Sequence, residues 1–189
     1  MALVEDEEAL VQAWADGDAG ASHRLIKLHG RAMLRVALAL CHRPEDAEEA
    51  VQEAFLRALR AVPSFDPGRG SLRSWLVGVT ANQARQFRRG ATRYQNFLER
   101  IQRDPYRAEP AAMESSDLGF ARKKLAALPA REREAFVLME IEDLSSRDAA
   151  GVMGVSDSTV RVLAARARLR LQEKLGSIHA SSVRAEGGR

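Results

Sequence analysis

The chain has 189 residues, 46% of them apolar and only 5% aromatic, with a net charge of +3 and a single cysteine, Cys41. That length allows one large or two small cores, and a lone cysteine excludes an intrachain disulfide or a multi-cysteine zinc site. The opening MALVEDEEAL is acidic, unlike a secretory leader, and no apolar run is long enough to span a bilayer, so the expectation is a soluble cytoplasmic protein.

Leu, Ala, Arg and Glu dominate and β-branched runs are scarce, which predicts an all-α fold. A first helix is expected over about Glu5 to Ala15, stopped by Asp16-Gly17-Asp18. A second covers about Ala21 to Leu40, with Ile26, Met33, Ala37 and Leu40 on one inward stripe. Pro44 suits the first turn of a third helix, whose Val51, Phe55, Ala58 and Val62 point inward. The segment PSFDPGRGS, residues 63–71, holds two prolines and two glycines and reads as a loop. Ser71 can cap a fourth helix over about Leu72 to Arg89. Residues 90–116 contain Gly90, Pro105 and Pro110 without a sustained apolar period, and read as a linker with at most a short helical stretch. Helices follow near Leu118–Leu128 and Arg131–Ile141, then two more, then a tail expected to be disordered. The domain division is therefore 1–90, a linker over 91–117, a second helical domain over 118–176, and the tail over 177–189.

Charge is unevenly spread. Residues 1–56 carry five basic and eleven acidic side chains, whereas in residues 57–107 eleven arginines face only Asp66, Glu99 and Asp104. Such a division suits two partners of opposite character, one of them nucleic acid, and equally suits two solvated helix faces. In SLRSWLVGVTANQARQFRRG, Trp75, Asn82, Arg85 and Arg89 share a face opposite Leu72, Leu76, Val79 and Phe87. Taken alone, Trp75 reads more readily as a core side chain. As a cluster beside a Pro/Gly loop, these residues favour stacking on and pairing with exposed bases.

Residues 145–171, SSRDAAGVMGVSDSTVRVLAARARLRL, have the spacing of a helix-turn-helix. Ala150 is the small contact, Gly154 the turn, and Met153, Val155, Val160 and Leu163 the apolar anchors. Ser145 with Asp148, and Ser156 with Asp157, provide helix starts. The second helix then offers Ser158, Thr159 and Arg161 to base edges, with Arg166, Arg168 and Arg170 better placed for phosphates.

DAEEAVQEAFLRALRAVPSF, the tryptophan-bearing basic helix after it, and LPAREREAFVLMEIEDLSSRDAAGVMGVSDSTVR together resemble bacterial RNA polymerase sigma factors of the sigma-70 family. The two-domain brevity points to their extracytoplasmic-function (ECF) group, over about residues 8–90 and 118–175. The resemblance implies a factor that takes core polymerase to promoters and assists DNA opening. Glu49, Gln52 and Glu53 would meet the clamp helices of the polymerase's largest subunit. The loop Pro63–Gly70, with Ser64 and Phe65, would capture a flipped base of the −10 element. Trp75, Asn82, Arg85, Arg88 and Arg89 would hold the separated strand, and Ser158, Thr159, Arg161 and Arg166 would read the −35 element as duplex. An anti-sigma protein holds many members inactive by covering these surfaces, although the sequence carries no independent signal of one. Members often have a Ser-Arg pair followed by leucine where this chain has Val162, Leu163 and Ala164. That removes the usual arginine and can shift the inward face by one residue.

Two other classes fit less of the chain. No histidine among His23, His29, His42 and His179 sits with a nucleophile or carboxylate at a recognised spacing, and His29, Cys41 and His42 match no common metal template. No phosphate-binding or dinucleotide glycine motif occurs. The expectation is no enzyme, no cofactor, no metal and no small-molecule substrate. A stand-alone helix-turn-helix regulator would dimerise and hold a ligand pocket in residues 1–90, but has no need of an acidic helix followed by a Pro/Gly loop and a basic aromatic face.

Overall fold

The computed structural model describes residues 2–41, 43–101 and 117–186, and all regular structure among them is helical. The eight α-helices of the described residues fall into two compact units, residues 1–112 and 113–189. The first contains α1 (Ala2–Ala15), α2 (Ala19–Leu40), α3 (Pro44–Ala61) and α4 (Leu72–Ile101). The second contains α5 (Asp117–Ala126), α6 (Ala130–Phe136), α7 (Ser146–Met153) and α8 (Asp157–Glu186). No helix among the described residues is long and apolar enough to cross a membrane.

In the first unit α2, α3 and α4 pack on one another and α1 lies against α2. Asp18 starts α2 by accepting from the Ala21 amide at 2.6 Å, after Gly17 has reversed the chain at φ 84°. Pro44 opens α3 with Glu45 and Asp46 in its first turn, where carboxylates oppose the positive end of the helix dipole. The core is built on Trp14, Leu25, Met33, Leu72 and Leu76, and Trp14 meets Phe55 edge-on at 5.7 Å between ring centroids. The part of α3 that faces the core is alanine: Ala47, Ala50, Ala54 and Ala58 are all fully buried. The expected stripe on α2 is corrected at one position. Met33, Ala37 and Leu40 are buried, but Ile26 is 52% exposed, and the adjacent Leu25 fills the core instead. One residue along a helix is a rotation of about 100°, and both side chains are apolar, so only packing decides between them.

Two other boundaries differ from expectation. α4 continues through Gly90 to Ile101, because a single glycine costs a helix interior only about 1 kcal/mol. α8 runs to Glu186, into the segment expected to be disordered, since no proline interrupts residues 157–186. Residues 102–116 of the expected linker and 187–189 of the tail lie outside the described residues.

In the second unit α8 packs against α6 and α7. α6 runs on as a π-helical turn over Val137–Ile141, closed by the Glu142 amide on the Val137 carbonyl at 3.0 Å. α7 ends at Gly154 in the left-handed region, φ 63° and ψ 41°, with the Gly154 and Val155 amides both turned onto the Ala150 carbonyl. A Cβ at Gly154 would meet nothing within 4 Å, so the requirement there is conformational and not steric.

Gly154→Ala should destabilise the second unit by about 1–2 kcal/mol, the cost of an L-residue in the left-handed region. Gly151→Ala should stabilise it by ~0.5–1 kcal/mol, because Gly151 is exposed, helical and open around its Cα. Denaturant unfolding of the two variants should therefore move in opposite directions. In the first unit, burial first and the Arg73 charge second hold the His29 pKa below its ordinary 6.5, and its buried Nδ1 has no hydrogen-bond partner among the described residues. A histidine with a depressed folded pKa contributes stability that is complete above the unfolded value and is lost as pH falls below it. Unfolding measured from about pH 7.5 to about 5.5 should show a loss of stability that His29→Gln reduces; equal pH slopes for the two proteins would refute this.

Candidate nucleic-acid interface

Three surfaces gather the residues singled out by the sequence. On α3, Glu49 and Gln52 are exposed and Glu53 is half-buried, 4.0 Å from Arg57. Leu56, 48% exposed, lies on the same stripe, since 49, 52, 53 and 56 fall three, four and seven residues apart. The buried alanines on the other side of α3 turn this stripe outward. The sequence does not single out Leu56, because a leucine in an amphipathic helix reads as core by default.

The second surface is the loop after α3 together with α4. The loop is held by local hydrogen bonds. Ser64 Oγ donates to the Ala61 carbonyl at 2.6 Å, Asp66 accepts from the Gly68 amide at 2.9 Å, and Ser71 Oγ accepts from the Ser74 amide at 3.1 Å. Phe65 and Trp75 meet at 5.4 Å between ring centroids, and both are half-buried against the core cluster. Trp75 is therefore a core side chain in part, packed against the cluster, while part of the residue stays accessible. Along α4, Asn82 is exposed and accepts a hydrogen bond from Arg85. Arg88 and Arg89 then line an open groove with Thr92 and Arg93, two residues that by sequence fall in the linker. Thr92 Oγ1 donates to the Arg88 carbonyl at 3.0 Å and Arg93 Nε to the Arg89 carbonyl at 3.3 Å. Fourteen residues separate Trp75 from Arg89, so the aromatic and basic ends of this track stand about 21 Å apart along the helix.

The third surface is the helix-turn-helix formed by α7 and α8. Ser145 caps α7 by accepting from the Asp148 amide at 3.1 Å, and Ser156 caps α8 by accepting from the Thr159 amide at 3.2 Å. Arg131 braces the turn, donating to the Met153 carbonyl at 2.9 Å. At the start of α8, Ser158 and Thr159 are exposed, and their hydroxyls lie 3.0 and 2.7 Å from Ser156 Oγ. Arg161 is exposed and paired with Asp157 at 3.0 Å. The later arginines divide. Arg168 pairs with Glu140 at 2.5 Å, and Arg170 with the nearly buried Glu132 at 2.9 Å, so both tie α8 to the α6 segment. Arg166 is exposed and forms no ion pair among the described residues. The expected inward face is corrected: Val160, Ala164 and Ala167 are buried, Leu163 is only half-buried, and Val162 is 49% exposed. Alanine at 164 keeps the inward position, and leucine at 163 cannot take it without rotating the helix.

No group of His, Cys, Asp and Glu among the described residues is arranged to hold a metal ion. Cys41 is buried, its Sγ 4.0 Å from the Ala84 carbonyl, and His42 lies outside the described residues.

Two family models match the chain. Residues 25–94 match the family Sigma-70 region 2, and residues 121–171 match Sigma-70, region 4. The chain is 31% identical over 171 residues to the ECF RNA polymerase sigma factor SigM of Mycobacterium tuberculosis, covering 90% of this chain and 85% of that one. It is 31% identical over 177 residues to the ECF RNA polymerase sigma factor ShbA of Streptomyces griseus, covering 87% and 92%. Among solved structures, the sigma factor RpoE in complex with the anti-sigma factor NepR from Bartonella quintana superposes with TM-score 0.68 at 29% identity, over 82% of this chain and 96% of that one. CnrH in complex with the cytosolic domain of CnrY gives TM-score 0.67 at 27% identity, over 90% and 97%. The chain thus belongs to the ECF group of the sigma-70 family: it is not an enzyme but a factor that directs RNA polymerase to promoters through their −10 and −35 elements.

Proposed function

We propose that the residues divide this task by unit, with polymerase and the −10 element handled by residues 1–90 and the −35 element by residues 118–176, in the cytoplasm. The observation that carries this reading is the outward stripe of α3, where Glu49, Gln52 and Glu53 are accessible beside an exposed Leu56. A leucine flanked by carboxylates suits a protein surface with basic and apolar groups, and its partner is the pair of clamp helices of the polymerase's largest subunit. Glu53 holds Arg57 only at 4.0 Å in solvent, an exposed pair that gives way at little cost.

The −10 element is met by the loop Pro63–Gly70 and by α4. A flipped base enters beside Ser64 and Phe65, and flipping costs a few kcal/mol, which favours easily unstacked steps. Trp75 supplies part of an aromatic face, and stacking on such a face is worth about 1–3 kcal/mol per base. Asn82, Arg85, Arg88 and Arg89 then hold the separated strand along α4. The half-burial of Phe65 and Trp75 supports the reading, because an aromatic pair fixed on the core loses little entropy when a base docks on it.

In the second unit the tip of α8 enters the major groove of the −35 duplex. Ser158, Thr159 and Arg161 reach base edges, while Arg166, with no ion pair among the described residues, meets a phosphate. The chain itself performs no covalent step, so opening is driven by the summed binding energy of polymerase and both elements. An anti-sigma protein that covers these same surfaces would hold the factor inactive.

Reconstitution with bacterial core polymerase on a genomic DNA library tests the assignment: transcripts should share two upstream elements, and a folded chain that fails to bind active core would overturn it. Glu53→Lys should weaken binding to core at least tenfold while leaving unfolding stability within about 0.5 kcal/mol, as exposed substitutions do. Arg161→Ala and Arg166→Ala should differ in kind. The first should relax discrimination at one −35 base pair by about 1–3 kcal/mol, and the second should lower affinity uniformly and reduce the slope of log affinity against log salt by about one. Quantitative promoter binding by holoenzyme over a salt series separates the two, and identical behaviour would count against a base contact for one and a phosphate contact for the other.

A further inference from the structure

Near the start of α8 the outward face carries a β-branched residue that is neither polar nor buried. Val162 is 49% exposed, and Ser158, Arg161, Ala165 and Arg166 are exposed around it. Positions 158, 161, 162, 165 and 166 fall at i, i+3, i+4, i+7 and i+8, which is one side of a helix. The opposite side is complete without the valine, because Val160, Ala164 and Ala167 are buried there. Nor does helix formation call for it, since valine propagates a helix less well than alanine or arginine. A lone exposed valine on an ordinary surface helix needs no explanation. This one stands on the helix of the helix-turn-helix that follows the turn, four residues after Ser158 and next to Arg161.

A β-branched side chain has essentially one χ1 rotamer in a helix, so the two methyls of Val162 are held in a fixed place. The major groove displays hydrogen-bonding groups at every base pair but a single kind of apolar feature, the C5-methyl of thymine. Ala165, just under one turn further on, adds a methyl without bulk. Arg161 on one side and Arg166 on the other match the charge of a nucleic-acid backbone and frame an apolar step between them. Leu169 is also exposed but lies seven residues on, about 10 Å further along the axis and away from the tip that reaches the bases.

We propose that Val162, supported by Ala165, is a specificity determinant that reads a thymine methyl in the −35 element, so that the preferred element contains an A·T pair beside the base pair read by Arg161. The proposal rests on the reading of α8 as the −35 recognition helix. It also gives the departure at 162–164 a consequence: a polar and charged readout is replaced by an apolar one.

The test uses full-length protein bound to core polymerase. The −35 element is first selected from a random duplex library, and each thymine in it, on either strand, is then replaced singly by deoxyuridine, which differs only in lacking the methyl group. At one thymine the replacement should weaken holoenzyme binding about fourfold, the factor for burying one methyl group. Val162→Ser, which leaves the site small and exposed, should bind the thymine and deoxyuridine duplexes equally, and Val162→Ile should preserve the preference. A selected element without thymine overturns the proposal, as does one in which no methyl matters, or discrimination that survives in Val162→Ser. If holoenzyme selects no −35 element at all, the reading of α8 fails instead, so the two failures are distinguishable.

Discussion

In both units alanines line a buried helix face beside the larger core side chains, and the outward stripes of α3 and α8 follow from that. In the first, Ala47, Ala50, Ala54 and Ala58 make the buried side of α3; in the second, Ala149, Ala150, Ala164 and Ala167 make much of the contact among α6, α7 and α8. Methyl-sized contacts let helix axes approach to the lower end of the usual range of about 8–10 Å. On α3 the long side chains then fall outside this alanine face, as Glu49, Gln52 and Leu56 do. An α3 with leucines at 47, 50, 54 and 58 would stand further from α2 and α4 and tilt its acidic stripe. The interfaces are in this sense what remains after packing is satisfied with the smallest residues available.

The same constraint sorts the charges. Glu132, Arg133, Glu134 and Glu142 are all buried in and after α6, and the Glu132–Arg170 pair has one partner only 8% exposed. Breaking such a pair leaves a charge without solvent, which is far more costly than separating two exposed groups. Arg161 and Asp157, both substantially exposed, can separate at small cost, which is what the proposed base contact of Arg161 requires. Arginines of equal appearance in the sequence therefore fall into two groups. Arg131, Arg168 and Arg170 tie elements of the second unit together, whereas Arg161 pairs only within α8 and Arg166 forms no ion pair among the described residues.

Features that depend on a few neighbouring residues are legible in the sequence. Gly154 as the left-handed turn, Ser145, Ser156 and Ser71 as helix starts, and the Pro/Gly loop after α3 all rest on local chemistry, and each has the geometry that chemistry requires. What cannot be read depends on comparing neighbours of similar type. Leu25 and Ile26 are both apolar, and nothing local says which faces Met33. Leu163 looks like the inward anchor because it is larger than Ala164, yet a helix packed through small residues prefers the alanine. The buried carboxylates of α6 are invisible for a related reason: glutamate reads as solvated unless a distant arginine is known to reach it. Gly90 reads as a stop although one glycine is too weak to end a helix that both sides favour, and so Thr92 and Arg93 fall outside the basic groove until the fold is known.

On the proposed reading, the outward face of α8 would also combine salt-sensitive with salt-insensitive contacts. Contacts made by arginine to phosphate weaken steeply with salt, because they release counterions. An apolar contact to a base methyl carries no such dependence. A −35 domain that keeps Arg161 and Arg166 but has valine and leucine at 162 and 163 therefore has fewer salt-sensitive contacts than one with a further arginine. Raising ionic strength lowers its occupancy of all sites together while leaving the preference among them nearly intact. On the proposed reading, the acidic stripe of α3 and the phosphate contact of Arg166 would then set how much is bound. Arg161 and the apolar step beside it would set where.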